Sequence, residues 1–112
     1  RSVAQEHFLR TVKILDDGRY EVSLPWLVGH PALPRNFKLA SSRLQGTLKK
    51  LRSSGLTAEY EAVFHEWLSD GVIERVPVED WDFGHYLPHR AVVKEGSTTR
   101  IRPVFDASAH EK

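Results

Sequence analysis

Residues 86–109 read YLPHRAVVKEGSTTRIRPVFDASA, and this run gives the clearest indication of the local fold. It contains two segments of extended character, residues 86–94 and residues 100–106, joined by five residues that include Gly96. Two such segments separated by a short glycine-containing loop are typical of a β-hairpin. The sequence therefore predicts a hairpin near the end of the chain.

The second strand of this hairpin carries candidate phosphate-binding groups. Successive side chains of a strand point to opposite faces, so Arg100 and Arg102 share one face with Val104 and Asp106. A guanidinium group is planar, always charged and able to bind a phosphate through two hydrogen bonds. This spacing indicates a phosphate contact, although two arginines on a strand are also typical of a surface that only keeps a protein soluble.

Two helices are predicted before the hairpin. Asn36 is placed to cap the first helix, which should end at residues 53–55, and Thr57 should begin the second, which Gly71 should end. Apolar residues recur at three- and four-residue steps, namely Phe37, Ala40, Leu44, Leu48 and Leu51 in the first helix and Tyr60, Phe64, Trp67 and Leu68 in the second. The two helices should form a helical hairpin around a small core.

Charge is distributed unevenly along a chain whose net charge is only +1. Residues 36–54 contain five basic residues and no acidic one, whereas residues 55–85 contain eight acidic residues and a single arginine. A local basic face attracts polyanions whatever the total charge. The candidate nucleic-acid-binding residues of the first helix are Lys38, Arg43, Lys49, Lys50 and Arg52. A solvated helix face is the alternative.

The N-terminal part has weaker signals. Residues 19–24 alternate polar and apolar side chains after the turn signal Asp17-Gly18, and residues 8–15 are a candidate partner strand. Residues 25–35 contain three prolines and should be a linker, so that residues 1–35 form a lead-in region and residues 36–112 the main domain. A short strand is also predicted over residues 72–76, before Pro77.

Several classes of site and protein can be set aside. The 112 residues include no cysteine, which excludes disulfides and thiolate metal sites, and no apolar run reaches the roughly 18–20 residues that would span a membrane. His85, His89 and Asp82 do not suit one metal ion, because residues four apart on a strand are separated by about 13 Å. Neither a metal site nor a catalytic residue is predicted in this chain.

The hairpin run resembles the fingers hairpin of BEL/Pao-type retrotransposon reverse transcriptases, in residues 86–94 and 102–109 (RPVFDASA). Residues 17–25 (DGRYEVSLP), 40–51 and 60–74 are similar to preceding parts of the same family, in the same order. The resemblance thus covers nearly the whole chain. It implies an α+β fold, the fingers and the edge of the palm in a right-hand polymerase, with an N-terminal strand or hairpin, two helices and a β-hairpin.

The resemblance also implies a function. A polymerase of this family copies RNA or DNA into DNA from deoxynucleoside triphosphates with two Mg²⁺ ions; Arg102 would bind the triphosphate and Lys94 would assist. Arg100, on the same strand face as Arg102, is a further candidate nucleotide-binding residue. Asp106 would be structural. The metal-binding aspartates would follow Lys112, so the chain alone should bind without catalysing. Its partners would be template-primer, nucleotide and the palm, thumb and RNase H parts, without a membrane, in cytoplasmic retroelement particles or the nucleus.

Three function classes remain open from the sequence. The chain is the template- and nucleotide-binding fingers part of a polymerase, a retroelement-derived module that binds nucleic acid or protein by itself, or a helical scaffold whose basic helix serves only solubility. Nucleic-acid binding that weakens with salt would separate the first two classes from the third.

Overall fold

A computed structural model describes residues 2–111, which form two compact units, residues 2–32 and residues 33–111. The architecture is mixed α+β. Within the described residues there are three helices and two small antiparallel hairpins. None of these helices is long and apolar enough to cross a bilayer.

The first unit contains a helix and a short hairpin. Helix α1 spans Val3–Thr11, and strands β1 (Lys13–Ile14) and β2 (Tyr20–Glu21) pair antiparallel. This structure confirms the predicted hairpin with its turn at Gly18. The predicted lengths of its strands, residues 8–15 and 19–24, were wrong, because residues 8–11 are helical and residues 22–24 are not part of a strand. The reason is a capping box, in which the Ser2 hydroxyl accepts from the Gln5 N–H and the Gln5 side chain accepts from the Ser2 N–H.

The second unit is built from two helices and the longer hairpin. Helix α2 spans Phe37–Ser54, helix α3 spans Thr57–Ser69, and strands β3 (His89–Val93) and β4 (Ile101–Phe105) pair antiparallel with His89 opposite Phe105 and Val93 opposite Ile101. The two helices and the hairpin lie where the sequence analysis predicted them. Gly55 ends α2 in the left-handed conformation.

The core of this unit lies where the two helices meet one face of the hairpin. Leu51 from α2, Tyr60 from α3 and Ile101 from β4 are buried together. Leu56, Val63, Phe64 and Ala91 pack around them. The Thr47 hydroxyl also donates to the His89 carbonyl oxygen (2.9 Å), which fastens α2 beside β3.

The beginning of α2 is held by the end of the described chain rather than by its own cap. Asn36 is buried in the left-handed conformation, which asparagine adopts more readily than most residues. Its side chain makes no capping bond, so that prediction was wrong; its Nδ2 donates to the Ala109 carbonyl oxygen at 2.8 Å instead. The Glu111 carboxylate accepts from the Leu39 N–H in the first turn of α2, where the helix dipole favours negative charge.

Between α3 and β3 the chain forms an exposed loop with one 3-10 turn, Val78–Asp80. The predicted strand over residues 72–76 is wrong: the N–H groups of Val72 and Ile73 both donate to the Trp67 carbonyl oxygen, so this segment closes the end of α3. Arg35 anchors the later part of the loop, donating to the Trp81 carbonyl oxygen and lying over the ring of Phe37.

Candidate nucleic-acid interface

A groove of about 610 Å³ runs between α2 and the β3–β4 hairpin, and we call it the α2–hairpin groove. One wall is α2 and the other is the hairpin with the residues beside it. The lining residues are Arg43, Gly46, Thr47, Lys49, Lys50 and Ser53 from α2, and Pro88, His89, Arg90, Val104 and Asp106 from the hairpin side.

The spacing of residues in α2 explains why its groove face is polar. Arg43, Gly46, Lys50 and Ser53 follow one another at steps of three or four residues, so they form one stripe on a helix with 3.6 residues per turn. Leu44, Leu48 and Leu51 of the same helix form a stripe on the other side, and Leu51 is buried in the core. The helix is therefore apolar at its back and basic at its front.

The charged residues that line the groove are mostly basic. Its lining includes four basic side chains, Arg43, Lys49, Lys50 and Arg90, and one carboxylate, that of Asp106. The difference of four positive charges and one negative charge leaves three positive charges in excess. Such a concave, basic surface attracts polyanions more strongly than the net charge of the chain suggests.

The single carboxylate of the groove is held in place by its neighbours. Asp106 Oδ1 accepts from the Ser108 hydroxyl (2.6 Å) and from the Ser108 N–H (3.1 Å), and Asp106 Oδ2 accepts from Arg43 Nη1 (3.0 Å). The hydroxyl hydrogen bond from Ser108, followed by its backbone hydrogen bond and the nearby Arg43 charge, lowers the pKa of Asp106. This carboxylate is therefore ionised throughout the neutral pH range.

Three of the five basic residues predicted on α2 line the groove and two do not. Arg43, Lys49 and Lys50 are brought together there, whereas Lys38 and Arg52 are exposed on other parts of the helix surface. The charge count along the sequence did not distinguish these two groups, because it ignored the direction in which each side chain leaves the helix.

Arg90 is a groove residue that the sequence reasoning missed. It lies opposite Val104 in the hairpin, and Arg102 lies opposite Val92, so both arginines are on the face directed away from the buried Ile101. Within residues 2–111 neither guanidinium is in an ion pair. The hairpin register could have identified Arg90, because it places Arg90 opposite Val104, which also lines the groove.

The three residues predicted to bind a nucleotide have different surroundings. The guanidinium of Arg100 is paired with Glu59 of α3 (3.0 Å) and with Glu95 (3.4 Å). Arg102 lines a separate surface pocket of about 500 Å³ together with Trp67, Thr98 and Thr99. Lys94 is exposed, and its backbone N–H donates to the Arg100 carbonyl oxygen. Of the three, Arg100 is the one whose charge is already balanced by carboxylates.

His89 connects the groove wall to the core. One of its ring nitrogens, Nδ1, is hydrogen-bonded to the Tyr60 hydroxyl at 2.7 Å, and its ring lies among those of Phe64 and Phe105. Burial lowers the pKa of His89 and raises the pKa of Tyr60 to about 12. The neutral imidazole is thus part of the packing that positions β3 beside the helices.

The two histidines considered for a metal site are hydrogen-bonded to different partners. His85 Nδ1 donates to the Pro34 carbonyl oxygen, while His89 is engaged with Tyr60. In the part of the chain that the structure describes, no three His, Asp or Glu side chains form a group that could hold a metal ion.

Comparisons with protein-family models, with curated proteins and with solved structures found no match for this chain.

Proposed function

We propose that this chain is a nucleic-acid-binding module, the template- and nucleotide-binding fingers part of a reverse transcriptase of the BEL/Pao type. The observation that carries the binding proposal is the α2–hairpin groove, which is lined by four basic residues from two elements. The assignment to a polymerase rests on the resemblance of residues 86–94 and 102–109.

The arrangement of charges suits a phosphate backbone. Lys49 and Lys50 lie on one wall of the groove and Arg90 on the other, so a strand lying in the channel would meet basic groups on both sides. Each phosphate neutralised in this way releases condensed counterions, which makes affinity depend on salt and little on base sequence.

Gly46 gives independent support to the proposal that the groove binds a ligand. It lies inside α2, where glycine costs about 1 kcal/mol relative to alanine, and a Cβ atom added there would meet nothing within 4 Å. Packing of this chain therefore does not require glycine at this position. A glycine that lines the groove does, however, allow a ligand to approach the helix backbone closely.

The proposal is tested with two charge-reversal variants of the same helix. Lys49→Glu/Lys50→Glu alters two groove residues, and Lys38→Glu/Arg52→Glu, the matched control, alters two basic residues outside the groove. Labelled single-stranded RNA and RNA–DNA hybrid are titrated with each protein over a range of salt. The groove variant should lose affinity, and its salt slope should fall by about 1.4–1.8, the equivalent of two contacts at 0.7–0.9 each.

The control variant, Lys38→Glu/Arg52→Glu, should retain most of the affinity and most of the salt slope of the wild type. Equal losses in the two variants would mean that only the total charge of α2 matters, and unchanged binding in both would return the helix to the solvated-surface interpretation. Both results would contradict the proposed groove.

The exposed loop favours a second candidate function, a protein-interaction module. Trp81 is 52% exposed and Phe83 72% exposed, yet the loop is ordered by hydrogen bonds from Trp81 Nε1 to the Val76 carbonyl oxygen and from the Tyr86 hydroxyl to the Trp81 carbonyl oxygen. Ordered, exposed aromatic residues are typical of protein interfaces. If this candidate is correct, replacing Trp81 and Phe83 with alanine abolishes a protein contact and leaves nucleic-acid affinity unchanged.

A further inference from the structure

The ion pair between Arg43 and Asp106 joins the two walls of the α2–hairpin groove. Arg43 belongs to α2 and Asp106 directly follows β4, and their closest side-chain atoms, Nη1 and Oδ2, are 3.0 Å apart. Both residues line the groove. One of the four basic groups of the groove therefore already has an anionic partner within the protein.

Asp106 does not depend on Arg43 for its position. Ser108 donates to Asp106 Oδ1 through its N–H and its hydroxyl, which fixes the carboxylate within its own loop and leaves Oδ2 directed at Arg43. If Arg43 turned away, the carboxylate would remain at the edge of the groove. Asp106 is thus a fixed acceptor and Arg43 is the partner able to move.

The pair is open to exchange with a ligand. Both side chains remain about half exposed, 49% for Arg43 and 44% for Asp106, and exposed ion pairs are weak. A phosphodiester oxygen is an acceptor of the same kind as a carboxylate oxygen for a guanidinium donor. A strand in the groove therefore competes with Asp106 for the same hydrogen bonds.

We propose that Asp106 is an internal competitor for nucleic-acid phosphate: it binds Arg43 in the free protein and yields it to a phosphodiester of a single strand lying in the groove. This inference rests on the proposed function of the groove and adds the control of its affinity. Because a phosphate gained at Arg43 requires the loss of the existing ion pair with Asp106, this carboxylate lowers the affinity of the groove for a strand.

The test compares Asp106→Asn with Glu111→Gln. Asparagine keeps an oxygen that can accept from Ser108 but removes the charge that competes for Arg43. Glu111→Gln changes the net charge by the same amount outside the groove, and its amide oxygen can still accept from the Leu39 N–H. Fluorescein-labelled single-stranded oligo(dT) is the probe, with anisotropy measured between about 50 and 200 mM salt.

Asp106→Asn should bind roughly two- to fivefold more tightly than the wild type, as expected for the release of one exposed ion pair. Its salt slope should be steeper by about 0.7, the equivalent of one further phosphate contact. Arg43→Gln should weaken binding more in the Asp106→Asn background than in the wild type, because only there is Arg43 fully available. Asp106→Ser, which keeps a short polar side chain in the turn, should give the same direction of change.

Equal or weaker binding by both Asp106 variants, with the wild type binding, would overturn this inference alone, and weaker binding would mean that Asp106 positions Arg43 for the ligand. An equal gain in Glu111→Gln would also overturn it, because long-range charge would then explain the effect. If neither the wild type nor the Asp106 variants bind, the proposed function falls together with this inference.

Discussion

The α2–hairpin groove and the tip of the β3–β4 hairpin, residues 94–100, are both basic in sequence but differ in how their charges are balanced. In the groove, four basic side chains face a single carboxylate. At the tip, the guanidinium of Arg100 alone contacts two carboxylates, those of Glu59 and Glu95. A basic residue attracts phosphate only to the extent that its charge is not already neutralised by the protein, so the groove is the stronger candidate for strand binding.

The largest expected effect concerns Arg102, which lines the separate pocket beside the hairpin tip. In a polymerase that contains this chain, Arg102→Ala should lower kcat/KM for the deoxynucleoside triphosphate by about 10²-fold, because a charge-stabilising donor is lost where negative charge develops. Steady-state primer extension measures this. Lysine should restore activity only in part, since a point charge does not reproduce the planar guanidinium.

Arg100→Ala is the internal control for that experiment and should be milder, because the Arg100 guanidinium is engaged by Glu59 and Glu95. A loss of template-primer affinity in Arg102→Ala with an unchanged KM for the nucleotide would contradict the nucleotide role. That result would mean that the strand-binding surface includes Arg102, and the groove and the hairpin tip would then no longer differ in function.

An intermediate effect is expected from a matched pair of arginine changes in the isolated chain. Arg90→Gln should weaken single-stranded RNA binding by about tenfold, as expected for the loss of one hydrogen bond between charged groups, about 1.5 kcal/mol. Arg100→Gln should leave the affinity close to that of the wild type and lower stability by at most about 1 kcal/mol, because it removes exposed ion pairs. Fluorescence anisotropy and urea unfolding measure the two quantities. Equal losses of affinity would show that balanced and unbalanced arginines contribute alike.

The smallest effect is expected at Gly46. Gly46→Ala should stabilise the chain by about 0.5–1 kcal/mol, because alanine is the better helix former and the added Cβ meets no neighbour. Urea unfolding monitored by circular dichroism measures the gain. Nucleic-acid affinity should not rise with stability, since the methyl group enters the groove. A parallel gain in affinity would mean that the groove does not require a small residue there.

The parts of the fold that sequence predicted well are those governed by local periodicity. Leucines at three- and four-residue steps placed α2, and the glycine-containing loop placed β3 and β4. The signal for α1 was also local, since Ser2 and Gln5 have the spacing of a capping box, but the alternation of residues 19–24 drew the interpretation toward a strand partner. Residues 72–76 have strand-like composition, yet no described strand pairs with them, and the N–H groups of Val72 and Ile73 donate to the Trp67 carbonyl oxygen instead.

The candidate site was harder to predict because it depends on contacts between distant residues. The carboxylate of Glu59 reaches Arg100 across 41 positions, and Arg43 reaches Asp106 across 63. No local pattern contains such pairings. The hairpin register, by contrast, was available from the sequence and would have added Arg90 to the site.

The attachment of residues 109–111 to the start of α2 has a consequence for the order of folding during synthesis. Asn36 and Ala109 are separated by 73 positions, and Leu39 and Glu111 by 72, so the first turn of α2 leaves the ribosome long before its partners do. Contacts of such long separation form late, because closing the intervening loop costs entropy before it is rewarded. The emerging helix is expected to fray at Phe37–Leu39 while the turns around Leu51 are already held against α3. The amide protons at its beginning should then exchange with solvent until residues 109–111 are in place.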